Sequence, residues 1–86
     1  MKKVKRIKIY STTTCPYCQL EKMWLKEKGI EFEDTLVDIN PLETQKMIEK
    51  TGQMGVPVTE IEFEDGGIEY VIGFDKERLQ ELFEIS

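Results

Sequence analysis

A chain of 86 residues with 40% apolar and 34% charged side chains holds material for one small domain with a single core, of expected radius of gyration roughly 12 Å, and contains no apolar run near the ~20 residues that span a bilayer. Its net charge of −5 is split: Lys2, Lys3, Lys5, Arg6 and Lys8 give the first ten residues +5, and the remaining −10 opposes any nucleic-acid partner. With no histidine and only two cysteines, Cys15 and Cys18, the sequence excludes imidazole catalysis, a disulfide framework and a self-contained four-cysteine zinc site.

The first predicted element is a strand from Arg6 to Ser11, with Ile7 and Ile9 on one side and Arg6, Lys8 and Tyr10 on the other. The lysines read as its solvated side, since no aromatic residues are interleaved with them to stack bases. Lys8 interrupts Val4, Ile7 and Ile9 and no apolar stretch follows, which predicts no secretory signal, no membrane association and a cytoplasmic location. Ser11 to Thr14 form a polar turn. Pro16 suits the first position of a helix in which Leu20, Trp24 and Leu25 fall at helical spacing until Gly29 stops it.

Ile30 to Ile39, containing Phe32, Leu36 and Val37, predicts a second strand. Asn40-Pro41-Leu42-Glu43 reads as an N-cap, a proline at N1 and an acidic N3 residue. The helix it opens carries Leu42, Met47 and Ile48 and ends near Thr51-Gly52. After Pro57 a third strand places Thr59, Ile61 and Phe63 on one face and Glu60, Glu62 and Glu64 on the other, so that second face is expected to be incompletely covered. Asp65-Gly66-Gly67 is a hairpin turn, Ile68 to Ile72 the returning strand, and Gly73 its break. Asp75 caps a last helix with Leu79, Leu82 and Phe83 at i, i+3 and i+4.

The order β-α-β-α-β-β-α predicts an α/β fold over residues 1–86 as one domain. A helical crossover makes the first two strands parallel with a right-handed connection, and the last two form an antiparallel hairpin. The result is a four-stranded mixed sheet with helices on both faces.

Cys15-Pro16-Tyr17-Cys18 sits where a strand runs into a helix. Positions i and i+3 project from one helix face with Cβ atoms about 5–6 Å apart, and a small adjustment reaches the ~3.8 Å of a disulfide. The pair can close and reopen without moving the fold. Cys15, in the first turn, meets unpaired backbone N–H groups and the positive helix end, which lower thiol pKa values to about 3.5–7.5 in such places. Cys18 lies deeper and is expected to be less accessible. Thiol–disulfide exchange follows: Cys15 attacks an exposed disulfide, and Cys18 then attacks Cys15 to release the reduced product. Pro16 and Tyr17 set the turn geometry and the balance of the two redox forms. A C-x-x-C pair is also compatible with a structural pair or half of a metal site, but its place in a βαβ pattern favours redox chemistry.

From Ile7 to about Phe83 the sequence resembles glutaredoxins and the wider thioredoxin fold. The resemblance is carried by Ile9-Tyr10-Ser11-Thr12-Thr13-Thr14-Cys15-Pro16-Tyr17-Cys18, by Gly55-Val56-Pro57-Val58 and by Gly73-Phe74-Asp75. It implies Cys15 as nucleophile, Cys18 as resolving cysteine and Pro57 in cis, with Val56 offering its backbone to an extended substrate or to glutathione. It also implies a substrate- or glutathione-binding segment at Gly73, Phe74 and Asp75, with Asp75 on the glutathione amino group.

Two departures change the expected partner. Thr12 stands where glutaredoxins usually place a lysine, and Met54 where many have an arginine. Each missing cation removes a charge-assisted contact to a glutathione carboxylate worth about 1.5–3 kcal/mol, for which Lys22 could partly substitute. Glutathione binding is therefore expected to be weak, with no cofactor held tightly. The sequence moves toward glutaredoxin-like redoxins that reduce protein disulfides and are recharged by a thioredoxin-reductase-type flavoenzyme, including the hydrogen donors of ribonucleotide reductase. Tyr17 and Phe74, if exposed near Cys15, would form an apolar docking surface on a monomeric carrier. The alternatives are a glutathione-dependent glutaredoxin and a glutathione-assisted iron–sulfur carrier.

Overall fold

The computed structural model describes residues 3–83, so Lys2 lies outside the described residues. The elements are β1 (Val4–Ser11), α1 (Pro16–Glu27), β2 (Glu33–Leu36), α2 (Pro41–Thr51), β3 (Val58–Phe63), β4 (Ile68–Ile72) and α3 (Lys76–Phe83). They form one four-stranded sheet in the order β2-β1-β3-β4. The strand β1 runs parallel to β2 and antiparallel to β3, and β3 pairs antiparallel with β4.

Alternation along the strands sorts side chains into two cores. Ile7 and Ile9 of β1, Ile61 and Phe63 of β3 and Val71 of β4 pack with Trp24 and Leu25 of α1 and Leu79 of α3. On the opposite face Tyr10 and Val58 pack with Val37 and with Met47 of α2. Helices therefore cover both faces, as the element order requires.

The covering corrects several details of the sequence reading. Tyr10 is fully buried rather than solvated beside Arg6 and Lys8, because α2 crosses that end of the sheet. The inward stripe of α2 is Glu43, Met47 and Thr51, at i, i+4 and i+8, so Leu42 is 72% exposed and Ile48 also faces outward. Glu43 receives Lys8 Nζ at 3.1 Å, and Lys50 reaches Glu60 Oε1 at 2.9 Å. Tyr70 Oη adds a hydrogen bond to the same Glu60 oxygen at 3.1 Å. The acidic face of β3 is thus covered at Glu60 by an opposite charge.

Asn40 is the N-cap of α2 by position, but its side chain makes no capping bond. The second strand is also shorter than Ile30–Ile39. Ile30 N–H closes the end of α1 on Leu25 O at 2.9 Å, and Asp38 is drawn out of line to Thr13.

Turn chemistry behaves as read. Gly66 takes φ +91° in the hairpin, and Asp75 Oδ1 accepts Arg78 N–H at 3.2 Å at the start of α3. Gly73 takes φ +79° with nothing within 4 Å of where a β-carbon would stand, so a side chain there meets backbone strain alone. Gly73→Ala is expected to destabilise the fold by about 1–2 kcal/mol, read from urea unfolding; an unchanged midpoint would show that the turn relaxes freely.

Candidate active site

The site is assembled where β1, α1, β3 and β4 end near one another. Cys15 is the N-cap residue of α1, with φ −93° and ψ +109°, one position earlier than a first-turn residue. Its Sγ accepts the Cys18 N–H at 3.2 Å, and its carbonyl accepts Gln19 N–H at 3.2 Å. The first turn contains no acidic residue, so nothing there opposes a negative sulfur. Pro16 occupies N1, where its missing N–H leaves no bond unmade.

The sulfurs of Cys15 and Cys18 are joined as a disulfide across a Cα–Cα distance of 5.2 Å. Cys15 is partly exposed and Cys18 fully buried, so only the first is open to an incoming molecule. Pro16 is exposed, and Tyr17 is 65% exposed beside them.

The Val56–Pro57 peptide bond is cis. Val56 O lies 4.0 Å from Cys15 Sγ, and Pro57 O accepts Gly73 N–H at 2.7 Å, which ties the end of β4 to the same corner. Val56, Pro57 and Gly73 are therefore brought together with Cys15. Phe74 is not part of an exposed docking surface. It packs against the core under α1, its ring centroid 6.0 Å from that of Trp24. Asp75 is exposed, and its carboxylate serves the α3 cap.

Lys22 is also unavailable as a substitute cation. It is buried, with Nζ 3.0 Å from Asp34 Oδ2, while Asp34 Oδ1 accepts Ser11 Oγ–H at 2.7 Å. The loop before Cys15 is fixed separately: Thr13 donates its N–H and Oγ1–H to Asp38 Oδ2 at 3.0 and 2.6 Å. These bonds hold the Asp38 carboxyl below its usual range.

The glutaredoxin family model matches residues 7–64, a span that includes both cysteines and the cis proline. The chain belongs to the glutaredoxin family. An uncharacterized glutaredoxin-like 8.6 kDa protein in the rubredoxin operon of Clostridium pasteurianum is 44% identical, over 91% of this chain and 97% of that one. The glutaredoxin of Archaeoglobus fulgidus superposes with a TM-score of 0.75 at 28% identity, covering 90% of this chain and 84% of that one. The glutaredoxin-like NrdH-redoxin of Escherichia coli gives 0.72 at 27% identity, covering 91% and 95%.

This glutaredoxin is a thiol–disulfide oxidoreductase of the thioredoxin fold, with Cys15 and Cys18 as its redox-active pair. One residue beside the pair escaped the sequence reading. Glu21 is fully buried one helical turn beyond Cys18 and accepts the hydroxyl of Thr59 on its Oε2. Its Oε1 has no hydrogen-bond partner among the described residues, nor has the buried Nε1 of Trp24. Burial pushes the Glu21 carboxyl up to about 7, against the pull of the Thr59 hydroxyl. The available signal was the phase of α1. Cys18, Glu21, Lys22 and Leu25 stand at i, i+3, i+4 and i+7 and form the buried stripe, which leaves Leu20 51% exposed on the far side.

Proposed function

We propose that this glutaredoxin is a small dithiol carrier that reduces protein disulfides and is recharged by a thioredoxin-reductase-type flavoenzyme. Cys15 is the attacking thiol and Cys18 the resolving one. Val56 and Pro57 present backbone to the substrate, as an edge strand captures an extended peptide. Pro16 and Tyr17 shape the turn, and Gly73 closes the corner.

The observation that carries the choice of reductant is Lys22. The cation that could have replaced those missing at Thr12 and Met54 is buried and held by Asp34 at 3.0 Å. A glutathione carboxylate would have to displace that partner, so glutathione binds weakly and no cofactor is held tightly. The Escherichia coli NrdH-redoxin, similar over nearly the whole chain, is described as glutaredoxin-like with a thioredoxin-like activity profile. The same reading makes ribonucleotide reductase a candidate electron acceptor and the cytoplasm the working compartment of a monomer.

Recycling of the oxidised protein distinguishes the two reductants. NADPH with thioredoxin reductase is expected to reduce it faster than glutathione with glutathione reductase. Clear dominance of the glutathione route would overturn this assignment and favour a glutathione-dependent glutaredoxin.

A further inference from the structure

The sheet ends in two open edges that differ in how they are protected. The β2 edge is four residues long and carries Glu33 and Asp34, with Asp34 tied to Lys22. Short, charged edges of this kind resist pairing with another chain. The β4 edge reads Ile68-Glu69-Tyr70-Val71-Ile72, without lysine or proline, between Gly67 and Gly73. Among the described residues no strand pairs with its outer side.

Two hydrogen bonds fix which backbone groups of β4 face outward. Phe63 N–H donates to Gly67 O at 2.8 Å, and Gly73 N–H to Pro57 O at 2.7 Å. Bonded positions alternate along an antiparallel ladder, so Gly67, Glu69, Val71 and Gly73 turn their backbone groups toward β3. Ile68, Tyr70 and Ile72 therefore turn their N–H and C=O groups to the open edge. Their side chains share one sheet face, opposite that of Val71, which packs in the core with Leu79 of α3. On that face Ile68 and Ile72 are 50% and 51% exposed, and Tyr70 is half-buried with its Oη on Glu60. Free backbone groups and exposed apolar side chains thus stand at the same positions.

This edge is continuous with the active-site corner. Ile72 directly precedes Gly73, which is bonded to Pro57, and Val56 O lies 4.0 Å from Cys15 Sγ. A strand added outside β4 would lie about 10 Å from the end of β3, two strand spacings of about 5 Å. Three extended residues at about 3.3 Å each cover that distance. A second copy of this chain is disfavoured as the occupant, because it would join two chains of net charge −5 with a Glu69 from each at the seam.

We propose that the open edge of β4 is a second docking site for the substrate polypeptide, separate from the backbone of Val56 and Pro57. The segment that follows the substrate cysteine passes Gly73 and adds to β4 as an antiparallel fifth strand. The substrate class this selects is a disulfide whose cysteine is followed, after about three residues, by an extended segment with β-branched or aromatic side chains at alternate positions. The inference rests on the proposed function, in which protein disulfides are the substrates.

The probe is a peptide with one cysteine, a three-residue Gly/Ser spacer and a five-residue alternation of Val and Thr, joined through its cysteine to 5-thio-2-nitrobenzoate. Cys15 thiolate of the reduced protein attacks the peptide sulfur, the S–S bond breaks, and the coloured thiolate leaves with its electron pair. Stopped flow at low peptide concentration is expected to give a second-order rate at least about tenfold above that of a control with glycine at the three Val positions. N-methylation of those three residues, whose N–H groups would point at β4, is expected to abolish the gain, and N-methylation of the Thr residues to keep it. Ile68→Pro removes one outward N–H and one exposed side chain at the first position of the strand without touching a bond to β3. It is expected to lower the ratio of the Val/Thr peptide rate to the glycine control rate.

Equal rates for the two peptides, or equal loss from both N-methylation patterns, would overturn the proposal, and both measurements use the wild type should Ile68→Pro fail to fold. A dimer in sedimentation equilibrium that is lost in Ile68→Pro would assign the edge to a second copy and overturn it as well. If neither peptide reacts while the mixed disulfide of glutathione does, the proposed function fails, and this inference with it.

Discussion

Replacing Cys15 by serine is expected to abolish disulfide reduction, lowering turnover by at least about a thousandfold, the scale on which an enzyme loses its nucleophile. Cys15 is the only one of the two sulfurs open to an incoming molecule, and its Sγ sits at the N-cap, where the Cys18 N–H points at it from 3.2 Å. A serine oxygen there would accept the same bond, but it stays protonated at neutral pH and cannot attack a disulfide. Cys18→Ser has the opposite signature. The backbone N–H that stabilises Cys15 is kept, so the first attack proceeds, but no second thiol releases the product. The variant should accumulate a covalent complex with a protein substrate, visible as an added mass under non-reducing conditions and removed by dithiothreitol. Reduction of substrate by Cys15→Ser at an appreciable fraction of the wild-type rate would show that the nucleophile has been misassigned.

The parts of this molecule that were legible in the sequence are those where local chemistry decides. Pro16 after a polar turn, Gly52 and Gly73 at positive φ, and Asp75 before an amphipathic run mark the ends of elements by their own backbone needs. The cysteine pair was legible because its spacing on a helix start has a chemical consequence. What was not legible depends on which side of a helix meets the sheet. Leu20, Leu42 and Ile48 are apolar and fit a helical period, but a period of 3.6 residues per turn leaves the phase ambiguous when polar residues join the stripe. In α1 the buried stripe includes Glu21 and Lys22, and in α2 the inward stripe includes the half-buried Glu43. An acid on a helix ordinarily reads as solvated, so the burial of Glu21 is signalled only by the phase it shares with Cys18 and Leu25. Phe74 is a similar case: a loop aromatic beside the site could have faced a partner, and only the position of Trp24 shows that it faces inward.

The same burial of Glu21 has a consequence for stability that can be measured apart from catalysis. Its carboxyl titrates at the ordinary 4.5 in the unfolded chain and at about 7 in the folded one. Between those values the unfolded state releases the proton while the folded state keeps it, so the ionised form favours unfolding. The sign is therefore the reverse of that for a salt-bridged acid. Stability from this group is full below pH 4.5, falls as pH rises toward 7, and is then constant. A difference of this size corresponds to about 3 kcal/mol between the two ends of the window.

Glutamine imitates the neutral acid in size and can still accept the Thr59 hydroxyl. Glu21→Gln in the oxidised protein is thus expected to match the wild type near pH 4 and to exceed it by about 3 kcal/mol at pH 8, measured by guanidinium unfolding at each pH. Other titrating groups affect both proteins alike, so the difference between them isolates Glu21. An equal gap at both pH values would mean that Glu21 titrates normally in the folded state.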